Sequence, residues 1–383
     1  MIYPLLPVFL AGVLGTSSTF IGAIEGAAES TASLLKLLSG WWSDRLKSRK
    51  PFVVIGYLIA SIARPFTAAA RSATQVLAIR VTDRIGKGLR TSPRDALLAD
   101  SAPADARGLA YGFHAAADNA GAVLGPLIAF LILKLHGVGI LDTTKRLSSH
   151  DELAIRNVFW LSAIPAAIAM LVLVFVVRDV PRREEKTGEG AASLETGRLS
   201  RKFWAYLTVV LLFTLGNSTD AFLLLRASQL GVPVALAPIL WAVLNFVKSA
   251  TGTYGGQLSD RIGRKPLIIG GWLLYAAVYF AFAWAGAPWQ AWGLFAIYGI
   301  FYGMTEGTEK ALVADIVPRA KRGSAFGWYN LAIGLGALPA SLIFGWIWDN
   351  RGAPSAFVFG ATLALVAAVL MAIVAPSRAA AAN

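Results

Sequence analysis

Long apolar runs without a single charge constrain this chain more than any other feature. Residues 158–177, 266–288, 324–348 and 356–375 contain no Asp, Glu, Lys or Arg. An apolar helix of about 20 residues matches the thickness of the hydrocarbon core of a bilayer. Only 15% of the residues are charged, against about 25% in ordinary soluble domains. These runs predict an all-α membrane protein that crosses a bilayer several times.

Twelve helices are expected from these runs and from the polar gaps between them. The first, residues 1–14, is too short to span a bilayer, so we expect a short first helix. Residues 179–202 lack apolar periodicity and are expected to be a cytoplasmic linker between an N-terminal six-helix bundle, 1–178, and a C-terminal one, 203–383. The other helices are expected at 19–42, 52–70, 74–100, 108–135, 158–177, 203–226, 234–255, 266–285, 289–314, 323–348 and 354–375.

Many of the basic residues lie in the gaps after helices 2, 6, 8 and 10, and the gaps after helices 1, 7 and 9 carry almost none. Because cytoplasmic loops carry an excess of Lys and Arg, both termini are expected in the cytoplasm, and the protein in the inner (plasma) membrane. The net charge of +13 is spread over these short gaps, so we expect no nucleic acid partner. The chain has no cysteine and three scattered histidines, which argues against a metal centre. No glycine loop has the spacing of a phosphate cradle, so we expect no nucleotide or other cofactor.

An internal repeat organises the chain. Three segments recur at an offset of about 215 residues, and a chance repeat would not keep one offset at three sites. Equivalent helices share one orientation, so the repeat is parallel, and such halves pack around a central cavity and rock about it. The matching segments are Gly40 to Arg45 with Gly256 to Arg261, Asp100 to Pro103 with Asp315 to Pro318, and Arg107-Gly108 with Arg322-Gly323.

The repeated glycine-to-arginine segments resemble the loop signature of the major facilitator superfamily. Arg80 stands where that family often has a buried arginine, and Gly121-x-x-x-Gly125-Pro126 is similar to a motif of its proton-coupled exporters. The resemblance implies the family fold, two six-helix bundles related by pseudo-two-fold symmetry. It also implies a secondary transporter whose helices 1, 4, 7 and 10 line a central cavity.

A gating role is expected for charged residues near the cytoplasmic helix ends. An anion such as Asp260 can cap the N–H groups of a neighbouring helix N-terminus, while adjacent arginines pair with carboxylates of the other half. Such a latch would stabilise one rocking state. The alternative is that these residues only set the topology. The expected gating residues are Asp44, Arg45, Arg49, Arg94, Asp100, Asp260, Arg261, Arg264 and Asp315.

Charges inside the predicted spans indicate a substrate or proton pathway. A charge at the bilayer centre costs roughly 2.5 kcal/mol or more, so it is kept where it faces a partner or water. The alternative is that these charges pair off and hold the halves together. Glu29, Asp118, Glu306 and Glu309 are the candidate proton carriers, with Glu29 and Glu306 preferred. The full predicted pathway is Glu25, Glu29, Lys36, Arg80, Asp83, Arg84, Lys87, Asp118, Asn217, Asp220, Arg226, Glu306, Glu309 and Lys310.

The leading hypothesis is a proton-coupled secondary transporter of a polar or anionic small solute, leaning towards export by alternating access. The excess of cations in helix 4 favours a substrate with anionic groups. Traffic of a metal chelate or siderophore, a non-transporting sensor, a channel, and a membrane enzyme acting on lipid-linked substrates stay open as alternatives. No compact acid–base cluster is apparent, so we expect no enzyme. We also expect a monomer whose partners are the solute, protons and the lipid bilayer.

Overall fold

The computed structural model describes residues 2–16, 18–46, 48–138, 148–179, 199–233 and 236–374. Within these ranges the side chains of residues 3, 4, 7, 11, 18, 19, 21–23, 25 and 26 are not described. The predicted pathway residue Glu25 and most of the predicted linker therefore lie outside the described residues. None of the residues that are described lies in a β-strand.

Helices occupy nearly all of the described ranges. A π-helical turn, Phe9–Val13, extends the short first helix, and a 3₁₀ turn, Pro65–Ala69, extends the third. The helices are α1 (Ile2–Val8), α2 (Ser18–Ser43), α3 (Lys50–Ala63), α4 (Ala73–Ser101), α5 (Arg107–Leu135), α6 (Ser149–Leu161), α7 (Ala163–Phe175), α8 (Arg201–Gly216), α9 (Ala221–Gln229), α10 (Ala237–Ile262), α11 (Arg264–Trp284), α12 (Pro288–Ile316) and α13 (Arg322–Val374).

The expected helix at 158–177 begins earlier in the structure, at Ser149 of α6. Charged residues at this end suggested a loop, but they belong to the first helical turn. Ser148 caps that turn by accepting a hydrogen bond of 3.1 Å from the backbone N–H of Asp151. The carboxylates of Asp151 and Glu152 lie beside the positive end of the helix dipole, where they are favourable.

Among the described residues, six helical stretches are long and apolar enough to cross a membrane. The last of them, Arg319–Val374, has 56 residues and therefore covers two of the expected spans. Gly352, with φ of 83°, breaks this stretch between the two spans. The helix α4 is long enough as well, but it carries ionisable residues along most of its length.

Contacts divide the chain into two compact units. Unit 1 contains Met1–Leu97 and Ala122–Pro181, and unit 2 contains Leu98–Gly121 and Arg182–Asn383. The hairpin made by the end of α4 and the start of α5 thus belongs to unit 2. The bundle and linker boundaries expected from the sequence stay a prediction.

Unit 1 has an apolar core at the meeting of α1 and α6. Phe9 packs edge-on against Phe159 with ring centroids 5.3 Å apart, and both rings are buried. Arg156 of α6 lies 4.9 Å above the Phe9 ring and donates a hydrogen bond of 2.9 Å to the carbonyl of Ala70. This arginine therefore satisfies backbone carbonyls beyond the end of α3, where the helix leaves them without partners.

Unit 2 has an aromatic core. In this unit α10 packs against α12, and α13 packs against α8 and α11. Phe213 stacks on Trp272 with ring centroids 4.5 Å apart, and Tyr275 stacks on Tyr279 at 4.1 Å. These large rings fix the rotation of α8, α11 and α12, and with it the direction in which their polar residues point.

Arg226, a predicted pathway residue on α9, contacts the C-terminal end of α11. Its guanidinium donates to the carbonyls of Phe282, Ala283 and Ala285, at 3.1, 3.4 and 3.0 Å. The last carbonyls of a helix have no intrahelical partner, and a cation beside them is favourable. This geometry accounts for Arg226 as a helix cap.

Arg226→Gln is expected to destabilise the protein by about 1–3 kcal/mol, because hydrogen bonds from a charged donor to three carbonyls are lost. The melting temperature of the detergent-purified chain checks this. Arg226→Lys keeps the charge and one donor group, so it should lie between wild type and Arg226→Gln. A melting temperature unchanged in both variants would contradict the capping role.

Candidate functional site

A carboxylate surrounded by three cations is the most prominent polar feature of unit 1. The carboxylate of Glu29 on α2 lies 3.6 Å from Nζ of Lys36, 3.5 Å from Nζ of Lys87 and 3.5 Å from Nε of Arg84. We call these four residues the Glu29 cluster. The Glu29 side chain is 48% exposed, while Lys36 and Arg84 are 10% and 13% exposed. The carboxylate therefore lies on the open side of the cluster.

Asp83 forms a second, buried centre on the same helix as Arg84. Its side chain is 2% exposed, and Nε of Arg64 lies 2.7 Å from one of its oxygens. Arg80 and Arg84 lie 3.6 and 3.9 Å from the other oxygen. Arg84 thus joins Asp83 to the Glu29 cluster, and cations outnumber carboxylates among the described side chains of this network.

Close helix packing brings these charges together. A Cβ atom at Gly86 would overlap the carbonyl oxygen of Gly56, and one at Gly88 would overlap the side chain of Leu35. The two glycines therefore let α4 approach α3 and α2. Ser39 Oγ donates a 2.8 Å hydrogen bond to the carbonyl of Gly88, and α4 stays helical throughout, including at Pro93.

Glu309 is a buried carboxyl group in unit 2. Its oxygens accept hydrogen bonds of 2.9 Å from the indole N–H of Trp272 and 2.8 Å from the hydroxyl of Tyr329. Tyr206 donates to the backbone carbonyl of the same residue, at 3.3 Å. Within the described part of the chain, Glu309 forms no ion pair. A carboxyl held only by neutral donors in an apolar core can bind and release a proton without breaking a salt bridge.

A break between α8 and α9 places Asp220 against α10 and α12. Tyr298 donates a 2.8 Å hydrogen bond to Asp220, and Nζ of Lys248 lies 3.9 Å from its other oxygen. The ammonium of Lys248 also lies 3.4 Å from the centre of the Tyr302 ring. The sequence predicted one continuous helix here, but the backbone leaves the helical region at Asn217, with φ of −97° and ψ of 88°.

Three further predicted pathway residues, Asp118, Glu306 and Lys310, lie on α5 and α12. Asn119 lies 3.5 Å from a carboxylate oxygen of Glu306 on α12. His114 lies 3.6 Å from Asp118, one turn along α5. Lys310 is half-buried on α12. Glu306 is therefore reached by a longer hydrogen bond than those that Glu309 accepts from Trp272 and Tyr329.

Asp260 caps a helix in the way expected for the repeated loop. Its two oxygens accept hydrogen bonds of 3.0 and 2.7 Å from the backbone N–H groups of Gly108 and Leu109, at the start of α5. Arg264 forms an ion pair with Asp260 and lies 3.0 Å from Asp315. The carboxylate thus faces the positive end of the α5 dipole and an arginine at once.

Two ion pairs beside this cap connect the two copies of the repeat reciprocally. Arg107 of the first copy lies 2.7 Å from Asp315 of the second, and Arg322 of the second lies 2.6 Å from Asp100 of the first. Arg319 adds a further contact of 3.3 Å to Asp100. All of these residues belong to unit 2, and together with Asp260 and Arg264 we call them the repeat network.

Glycines bring the backbones of α5 and α10 into direct contact below this network. A Cβ atom at Gly112 would overlap the carbonyl oxygen of Gly252, and one at Gly256 would overlap the carbonyl oxygen of Gly108. We call this contact the glycine seam. It is the reason that Asp260 can reach the first N–H groups of α5.

The other predicted gating residues lie in local pairs. Asp44 and Arg49 form a buried ion pair of 2.9 Å, and Arg94 lies 3.2 Å from Asp95. The guanidinium of Arg45 lies 3.3 Å from the centre of the Trp41 ring. Arg261 is exposed at the end of α10.

The family model of the Major Facilitator Superfamily matches residues 1–308 and, in a second alignment, residues 221–383. Together these alignments span the whole chain. The chain belongs to the major facilitator superfamily. The predicted all-α membrane fold of this superfamily is confirmed, and the protein is a multi-pass membrane transporter by fold.

Relatives of this major facilitator cover most of its length. An uncharacterized MFS-type transporter of Methanocaldococcus jannaschii is 29% identical over 379 residues, which are 97% of this chain and 89% of the relative. The structure of the proton:xylose symporter XylE superimposes with a TM-score of 0.79 at 18% identity, covering 98% of this chain and 91% of XylE. The multidrug resistance protein MdtH of Cronobacter sakazakii is 30% identical over 119 residues, only 31% of this chain and 30% of MdtH.

The structure adds residues to the site of this facilitator that sequence reasoning left out. Arg107 and Arg322 complete the repeat network, and the repeat that contains them was the available signal. Arg64 reaches Asp83 from the end of an apolar helix, where no pattern indicated a role. Aromatic donors form the third group, and nothing in their spacing marked them: Trp272, Tyr298, Tyr302 and Tyr329.

Proposed function

We propose that this major facilitator is a proton-coupled secondary transporter of a small anionic solute in the inner membrane, with both termini in the cytoplasm. It works as a monomer by alternating access and in the direction of export. The Glu29 cluster is the observation that carries the choice of substrate. Unpaired anions or cations do not persist inside a bilayer, so a half-exposed cluster in membrane-spanning helices faces water rather than lipid.

The cation-rich network on α4 favours a solute with a carboxylate or phosphate group. Arginine presents a planar fork of donors that matches such groups, while lysine acts as a compact charge beside it. Arg84 provides the guanidinium and Lys87 the ammonium, and both lie 3.5 Å from the carboxylate of Glu29. A neutral solute would gain nothing from this arrangement.

Glu309 is the residue that we propose carries the coupled proton. Its donors, Trp272 and Tyr329, are neutral, so the group can exist in both protonation states in the same place. This proposal differs from the preference for Glu29 and Glu306 reached from the sequence. Proton symport by XylE and the drug-resistance role in the name of MdtH are in keeping with coupling and with export.

The repeat network, which we place on the cytoplasmic side, is proposed as the gate. Its ion pairs each join a residue of one copy of the repeat to a residue of the other. The cap on α5 depends on the close approach of α5 and α10. Breaking the network frees all of these charges to water, where they are well solvated. The network therefore stabilises one transport state without making it permanent.

The proposal is tested by proton flux into proteoliposomes that hold a pH dye, with phosphate, citrate and glucuronate added in turn and glucose as the neutral solute. Wild type is expected to couple proton movement to at least one anion and not to glucose. Lys87→Gln should reduce anion-dependent flux about tenfold, the effect of losing roughly 1.4 kcal/mol of binding. Lys134→Gln removes an exposed cation from α5 and should transport like wild type.

Coupling to glucose, or flux in Lys87→Gln equal to that of wild type, would contradict the anionic substrate. Movement of labelled anion without protons would remove the coupling and leave facilitated diffusion. No movement of either in a folded chain would favour the sensor function instead.

A further inference from the structure

Glu29 differs from the other acidic residue of its network in the way it is held. Asp83 is buried and lies 2.7 Å from Arg64, which is the distance of a strong charge-assisted hydrogen bond. Glu29 is half-exposed, and its contacts with Lys36, Arg84 and Lys87 are all 3.5 or 3.6 Å. The carboxylate is thus shared between three cations without a short contact to any of them.

The cations of the cluster, by contrast, are held in place from several sides. Lys36 and Arg84 are nearly buried, and Arg84 also lies 3.9 Å from the buried Asp83. The helices that carry them, α2 and α4, touch closely at Gly88. The cluster is therefore a fixed group of cations with one loosely held anion on its open side.

We infer that Glu29 occupies the anion site of this cluster as an internal competitor, and that the oxyanion of a solute binds by displacing it. The inference rests on the proposed transport of an anion. A solute carboxylate or phosphate can form short, bidentate contacts with Arg84 that Glu29 does not form. The displaced side chain stays exposed to water, so its charge remains solvated.

An internal competitor has two consequences for transport. When no solute is bound, the Glu29 carboxylate partly neutralises the three neighbouring cations, which lowers the free-energy cost of burying them. It also excludes neutral solutes, because only an anion can replace the charge of Glu29 in the cluster. The cost is weaker binding, since the site is open only in the fraction of molecules whose Glu29 has moved away.

The inference is tested by calorimetric titration of the full-length protein, in nanodiscs of phosphatidylcholine, with inorganic phosphate, citrate or glucose at constant ionic strength. Glu29→Gln is expected to bind at least one of the anions about tenfold more tightly than wild type, because the competitor is gone. Glucose should show no gain. Glu152→Gln removes a carboxylate that pairs with Arg156 at 2.8 Å elsewhere in unit 1, and it should keep wild-type affinity.

Equal or weaker anion binding by folded Glu29→Gln would overturn the inference. If that variant does not fold, Glu29→Asp keeps the charge but shortens its reach, and it should show a smaller gain, whereas no gain would overturn the inference. Should nanodiscs with phosphatidylglycerol abolish the gain, the occupant is a lipid headgroup and displacement by a solute is excluded.

If wild type moves an anion but Glu29→Gln shows no gain, only this inference falls. If no anion binds or moves in any variant, the proposed function falls with it.

Discussion

Glu309→Gln is expected to abolish solute accumulation driven by a pH gradient, with a loss of at least about 100-fold relative to wild type. Glutamine has nearly the shape of the carboxylic acid: its oxygen can accept from Trp272 while its NH2 group donates to the hydroxyl of Tyr329. It cannot bind or release a proton. The site therefore remains packed while the coupling step is removed.

The measurement compares two assays in the same proteoliposomes. Uptake driven by a pH gradient should disappear, whereas counterflow exchange of labelled for unlabelled solute, which needs no net proton movement, should continue. Glu306→Gln is the comparison on the same helix: Glu306 is reached by Asn119 at 3.5 Å, and the variant should keep most gradient-driven uptake. Gradient-driven uptake by Glu309→Gln at the wild-type rate would show that another group carries the proton.

Asp260→Asn is expected to reduce transport about tenfold or more and to loosen the start of α5. The variant loses the charge that faces the N–H groups of Gly108 and Leu109, and it loses the ion pair with Arg264. Hydrogen bonds to a charged group contribute about 1.5–3 kcal/mol each. A loss of this size shifts the balance between transport states by one or more orders of magnitude.

Hydrogen–deuterium exchange checks this loosening directly. Amides of the peptide that contains Gly108 and Leu109 should exchange faster in Asp260→Asn than in wild type. Asp105→Asn removes an exposed carboxylate from the turn just before α5 and should leave both transport and exchange unchanged. Slow exchange at these amides in Asp260→Asn, with reduced transport, would mean that Asp260 acts in some way other than capping.

The sequence contains much of the information on the fold, because two of its signals do not depend on how helices rotate. The charge-free runs depend only on bilayer thickness, so the expected spans lie within one or a few residues of most observed helices. The repeat depends only on chain order, and it drew attention to Asp44 and Asp260, of which Asp260 lies at the start of α5. The N-terminal end of α6 was harder to predict, because residues such as Asp151 and Glu152 occur both in loops and in the first turn of a helix.

Most contacts between side chains of different helices could not be predicted from the sequence. Whether a carboxyl such as Glu309 meets cations or neutral donors depends on the rotation of α11 and α13, which the aromatic core sets. Spacing along one helix brings Lys87 near Arg84, but only the glycine contacts between α2 and α4 bring both to Glu29. The break at Asn217 falls on the polar segment Gly216 to Asp220, a turn-type pattern that the prediction of one continuous helix overlooked.

The glycine seam has a consequence for the speed of transport. Most helix interfaces interlock through side chains, and parting them forces rotamers to change and leaves apolar groups in water. At Gly108, Gly112, Gly252 and Gly256 backbone meets backbone, and these glycines have no side chains that could interlock. We therefore expect little friction in the opening motion there, and expect the rupture of the ion pairs beside the seam to set the pace of each cycle.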